Sequence, residues 1–117
     1  MIEIRNLTKR KVDEKFLERV AKKVLKGENR KEIDLSIALV SEARIKKLNK
    51  KYRGKNKVTD VLSFGDGLNE IITCPAVIKT KKELASVLIH GILHILGREH
   101  SKLMQNKEEY YAKALHY

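Results

Sequence analysis

The segment Leu84–Leu96 is apolar on most sides when wound as an α-helix, and a chain carrying such a segment must bury it. Its polar interruptions are Ser86, His90, Gly91 and His94. A chain of 117 residues supports one domain with a single modest core. That helix is therefore expected at the centre, with the other elements packed around it.

The remaining periodicities supply those elements. Ile2 and Ile4 alternate with polar residues and predict a short first strand. Val12, Phe16, Leu17, Val20, Val24 and Leu25 follow helical spacing, with Gly27 as a stop. Ile33, Leu35, Ile37 and Leu39 alternate as a strand. Ser41 is placed to cap a helix whose buried side carries Ile45, Leu48 and Tyr52. Strands are expected near Val58 to Phe64 and Leu68 to Cys74, joined as an antiparallel hairpin through Gly65-Asp66-Gly67. Pro75 ends the second of these. Thr80-Lys81-Lys82-Glu83 reads as a capping box opening the apolar helix. A last helix from about Ser101 to Leu115 carries Leu103, Met104, Tyr111 and Leu115. The order β-α-β-α-β-β-α-α predicts an α+β single domain over residues 1–117. Its sheet is mixed and four-stranded, with one antiparallel edge strand and about four helices packed on it.

Three of the four histidines fall together, as His90, His94 and His100 in the pattern H-x3-H-x5-H. A step of four residues returns to nearly the same helix face, so His90 and His94 point the same way. Gly97 can take the left-handed conformation that ends a helix, after which the chain turns and His100 can swing back. A lone histidine on an apolar helix is ordinarily a core residue satisfied locally. Three at this spacing, with a helix-ending glycine between the second and third, instead suit an open tetrahedral metal site with its fourth position left for water.

Charge points to a partner. The net charge is +11, and Arg44 to Lys57 holds eight basic residues and no acidic one. A solvated lysine-rich face is the ordinary explanation for such a run, yet in the Val12–Lys26 helix lysines are mixed with acids and here they are not. A polyanion such as nucleic acid is the expected partner. The lone Cys74 forms no internal disulfide and reads as a small buried apolar residue. No apolar run reaches the roughly 18 residues of a membrane span, and Met1-Ile2-Glu3-Ile4-Arg5 opens without an apolar signal segment. No membrane partner is expected, and a cytoplasmic location is.

A second pattern now joins the histidines. Asn49-Lys50-Lys51-Tyr52-Arg53-Gly54-Lys55-Asn56-Lys57-Val58-Thr59-Asp60-Val61-Leu62-Ser63-Phe64 resembles the N-x-x-Y/F-R-x-K-D-x-x-T-D-V-L-S-F segment of the YbeY family. His90 to His100 is similar to that family's H-G-x-L-H-L-x-G-Y-D-H. The residues differ at Arg98-Glu99, at Asn56 and at Asn69-Glu70, and the chain is shorter between the fourth strand and the histidine helix. The resemblance implies a single-domain, metal-dependent endoribonuclease that cuts single-stranded RNA in ribosomal RNA maturation and ribosome quality control. It implies one zinc ion on His90, His94 and His100, Arg53 as the catalytic residue near the scissile phosphate, ribosomal RNA precursors and the ribosomal subunit as partners, and no organic cofactor.

The histidine spacing also matches the metzincin peptidase helix H-E-x-x-H-x-x-G-x-x-H, whose glutamate is the general base. Here that place is Gly91, which removes about 10²–10⁴-fold of proton-transfer help and turns the expectation from peptide to phosphodiester chemistry. Zinc on neutral imidazoles polarises phosphoryl oxygens and lowers the pKa of bound water to about 7. Arg53 can hold a phosphate by two hydrogen bonds. The attacker, hydroxide or a ribose 2′-hydroxyl, stays open. Asp60 reads equally well as a carboxylate orienting a ligand histidine or as a strand-edge hydrogen-bonding group. Glu99 is read as structural, His116 as an uninvolved surface residue, and none of Tyr110, Tyr111 and Tyr117 as binding RNA. Two other functions compete: an RNA- or ribosome-binding assembly factor with little nuclease activity, and a metallohydrolase of another substrate.

Overall fold

The computed structural model describes residues 1–65, 67–97 and 102–115, the side chains of Lys102 and Leu103 excepted. The alternating segments form strands β1 (Ile2–Asn6), β2 (Leu35–Leu39), β3 (Val61–Phe64) and β4 (Glu70–Thr73). They lie in the order β1-β2-β4-β3. The pairs β1–β2 and β2–β4 are parallel, and β3–β4 is the antiparallel hairpin with β3 at the edge. This is the expected mixed sheet.

Four helices cover it: α1 (Glu14–Gly27), α2 (Glu42–Arg53), α3 (Lys81–Ile95) and α4 (Lys102–Ala114). One core joins Phe16, Leu17, Val20 and Val24 of α1 to Leu88, Ile89, Ile92 and Leu93 of α3 and to Ile37, Leu39 and Ile71 of the sheet. A smaller cluster on the other face joins Ile45 of α2 to Leu62, Ile72 and Cys74. Helix cover on both faces explains why β2 departs from clean alternation: Ala38 and Val40 are buried along with the inward Ile37 and Leu39. Among the described residues no helix is long and apolar enough to cross a membrane.

Several boundaries moved. Helix α1 starts at Glu14, after Asp13, whose carboxylate accepts from the Phe16 N–H at 3.0 Å. Lys81, at 3.0 Å, and then the Phe16 N–H hold the Asp13 carboxyl below its ordinary pKa. This depressed value means the cap is intact at neutral pH and is lost only as pH falls through it. Strand β2 begins two residues after Ile33, β3 begins at Val61, and β4 is confined to Glu70–Thr73, which leaves Leu68 73% exposed. Tyr52 is also exposed, at 55%, and not on the buried side of α2. The capping box opens α3 with a shift: Thr80 accepts from the Glu83 N–H at 3.0 Å, while the Glu83 carboxylate accepts from the Lys79 N–H at 3.1 Å. Asp66 of the expected hairpin turn lies outside the described residues.

Helix α1 stops at Gly27, as expected, and the glycine has a second role. It is the last residue of α1, and the positive φ of 58° that turns the chain belongs to Asn29. A Cβ on Gly27 would stand 2.3 Å from the Tyr111 hydroxyl oxygen of α4, so glycine here permits close approach. The contact continues at Glu28, whose side chain is 4% exposed. Lys107 donates to its Oε1 and Tyr111 to its Oε2, both at 2.6 Å. Glu28→Ala removes the acceptor that Lys107 and Tyr111 share and is expected to cost about 3 kcal/mol, read from urea unfolding. Parent-like stability would show that α4 does not need this clasp.

Candidate active site

The four-residue spacing in α3 brings His90 and His94 together, their ring centroids 4.5 Å apart and their planes at 69°. Helix α3 ends at Ile95, and Gly97 takes the expected left-handed conformation with φ of 83°. Its N–H donates to the His94 carbonyl at 3.0 Å. The chain beyond it, with Arg98, Glu99 and His100, lies outside the described residues, as do Ser101, His116 and Tyr117.

Arg53 arrives from the opposite side. It is the last residue of α2, which Gly54 stops in the left-handed conformation with φ of 68°. The turn is held from within: the buried Asn49 donates from Nδ2 to the Lys57 carbonyl at 3.0 Å, and the Lys55 N–H donates to the Asn49 carbonyl at 3.3 Å. Among the described residues, the buried Asn49 Oδ1 has no hydrogen-bond partner. The chain then runs to the edge strand β3. Arg53, Ser63, Phe64, His90 and His94 line one cavity of about 560 Å³, with β3 as its wall between α2 and α3.

Gly91 faces the sheet beside this cavity. A Cβ there would lie 2.9 Å from Ser63 Oγ and 3.2 Å from Ile71 Cδ1. The residue after the first histidine is therefore fixed by helix–sheet packing, and a glutamate at that place would point into the sheet.

His90 has a partner that the sequence reading missed. Its Nδ1 lies 2.5 Å from Glu108 Oε1 on α4. The signal was present: Met104, Glu108, Tyr111 and Leu115 recur every three or four residues, which puts a carboxylate in an apolar stripe. Asp60, by contrast, acts through its backbone carbonyl, which accepts from Thr73 Oγ1 at 2.8 Å and the Cys74 N–H at 3.1 Å. Cys74 is buried and free, and Tyr111 is buried.

The donors suit a zinc-class ion. Two imidazoles stand one turn apart on a buried helix, and a carboxylate on Nδ1 of His90 assigns any metal bond of that ring to Nε2. Among the described residues no group of three histidines, cysteines or carboxylates is placed to hold a metal.

Comparison with known proteins agrees with this architecture. The family model described as Endoribonuclease YbeY matches residues 3–116. An "Endoribonuclease YbeY" of Thermotoga maritima is 36% identical over 99 residues, covering 74% of this chain but only 66% of its own length. One of Thermosipho melanesiensis is 34% identical over 128 residues, covering 92% of each. The solution structure of TM1509 from Thermotoga maritima matches with a TM-score of 0.72 at 34% identity, over 98% of this chain and 89% of that one. A crystal structure of a Wss1 mutant from Saccharomyces cerevisiae, 12% identical with a TM-score of 0.55 over 97% of this chain and 89% of that one, shares the fold alone. The chain belongs to the YbeY family.

Proposed function

We propose that this protein is a zinc-dependent endoribonuclease. It cuts single-stranded segments of ribosomal RNA precursors in the cytoplasm, during maturation and quality control of the ribosomal subunit. Zinc is held by His90, His94 and His100, and Arg53 holds the scissile phosphate. The observation that carries this reading is the meeting of Arg53 with His90 and His94 in one cavity, although they are distant in sequence.

When bound, zinc supplies Lewis-acid polarisation of a phosphoryl oxygen. The chain's own residues do the rest. With Nδ1 of His90 protonated, Glu108 accepts a hydrogen bond from that N–H and orients the ring, which would leave the Nε2 lone pair to hold the ion. The guanidinium of Arg53 grips two phosphate oxygens and stabilises the charge that grows on them as the bond breaks. Asn49 and Gly54 hold the helix end from which Arg53 reaches.

Arg53→Lys keeps the charge and loses the paired geometry. Single-turnover cleavage of single-stranded RNA is expected to fall about 10²-fold, with unchanged thermal stability because Arg53 is exposed. A parent-like rate would remove Arg53 from the reaction. Glu108→Ala is expected to weaken zinc binding by about 10–100-fold in a chelator competition, with partial recovery in Glu108→Gln. Equal affinity in all three proteins would leave Glu108 a packing residue.

A second reading, an RNA- or ribosome-binding assembly factor with little nuclease activity, draws support from the basic run Arg44–Lys57, which lies largely exposed. A peptide substrate is disfavoured by the packing of Gly91 against Ser63 and Ile71.

A further inference from the structure

On the far side of Tyr52 and Phe64 from the histidines the sheet carries a second groove, of about 270 Å³. Tyr52 and Phe64 line both this groove and the cavity holding Arg53, His90 and His94. Their rings meet edge to face at 5.3 Å and form the ridge between the two hollows. One wall is a stripe along α2, Arg44, Leu48 and Tyr52, at one residue per turn. Eight residues of helix rise about 12 Å. Ala38 and Ile72 floor the groove, and Arg5, Leu7 and Leu68 stand across it, with Leu7 and Leu68 exposed.

We propose that this groove binds the single-stranded RNA that flanks the scissile phosphodiester, as a track leading from the Arg53 cavity over Tyr52 toward Arg44. The proposal rests on the nuclease reading for the identity of the strand. Two features select RNA as the occupant. The first is continuity, since the groove and the cavity share the Tyr52–Phe64 ridge. The second is chemistry. An exposed tyrosine ring with the Lys51 ammonium 5.2 Å from its centroid suits an unpaired base and its phosphate. Arg5 and Arg44 add cations at the far end, where Glu70 is the one lining carboxylate among the described residues and Arg5 pairs weakly with Glu3 at 3.5 Å.

The test is binding of fluorescein-labelled oligouridine by anisotropy. A dodecamer reaches from the cavity into the groove; a trinucleotide does not. The proteins compared are the parent, Leu68→Glu, Arg44→Glu and a control, Lys23→Glu, on the exposed side of α1. The groove variants are expected to weaken the dodecamer about tenfold more than the control does, and to weaken the trinucleotide no more than the control does. In Arg44→Gln the slope of log affinity against log salt should shrink by about 0.7, one phosphate contact. Dodecamer affinity that falls no further than in Lys23→Glu, or a parent that does not bind the dodecamer, overturns the proposal. The first of these is also the result expected if the groove takes a protein segment. A parent that binds but never cuts would defeat the nuclease reading and leave the groove's RNA affinity standing. A parent that cuts the dodecamer while the groove variants bind as the control does would defeat the groove alone.

Discussion

His94→Ala is expected to lower single-turnover RNA cleavage by about 10³-fold or more while RNA affinity stays within about twofold. The size follows from what a metal contributes to phosphoryl chemistry, several kcal/mol, at about 1.4 kcal/mol per tenfold in rate. Affinity is spared because the cationic run Arg44–Lys57, which supplies the sequence-independent attraction, lies on and beyond α2 and not on α3. The measurement needs protein purified without a histidine tag, saturating enzyme and RNA binding verified for both proteins. Zinc content should fall in parallel. Equal cleavage rates would remove the nuclease reading and leave the assembly-factor reading in its place.

Gly91→Glu is expected to destabilise the fold by about 4 kcal/mol or more, a large share of the 5–15 kcal/mol that holds a domain of this size together. Two costs add. The new Cβ meets Ser63 Oγ at 2.9 Å and Ile71 Cδ1 at 3.2 Å, an overpacking worth about 1–3 kcal/mol. The carboxylate then enters a helix–sheet seam lined by Ser63 and Ile71, which costs several kcal/mol more. The helix-propensity gain over glycine, about 1 kcal/mol at most, does not offset this. Gly91→Ala is the informative control. Ser63 Oγ can rotate away and the Ile71 terminal methyl can shift, so alanine should stay within about 1 kcal/mol of the parent. Urea unfolding reads both. A Gly91→Glu protein as stable as the parent would mean that the seam is looser than its distances indicate. The peptidase glutamate would then be absent for a reason other than packing.

What the chain's order of residues determined by itself is local. The His90–His94 face, the Thr80 and Ser41 caps, the turn at Gly97 and the hairpin between β3 and β4 each depend on residues a few positions apart. Backbone geometry converts such spacings into structure without reference to the rest of the fold. Misreadings were local too, where tertiary packing overrode pattern. Tyr52 sits at core spacing on α2 yet is exposed, because the sheet beneath it ends at the edge strand β3. Gly27 ends α1 as its sequence signature indicates, and only packing adds its second role, the approach of Tyr111.

Tertiary structure alone decided what meets what. Placing β4 between β2 and β3 put β3 at the edge, and only there can one wall face both Arg53 and the histidines. The clasp of Glu28 with Lys107 and Tyr111 set α4 against the end of α1 and so carried Glu108 to His90, eighteen residues away. These encounters depend on which apolar faces find each other across the whole domain. That choice is made by the summed burial of the core, and no single spacing in the chain encodes it.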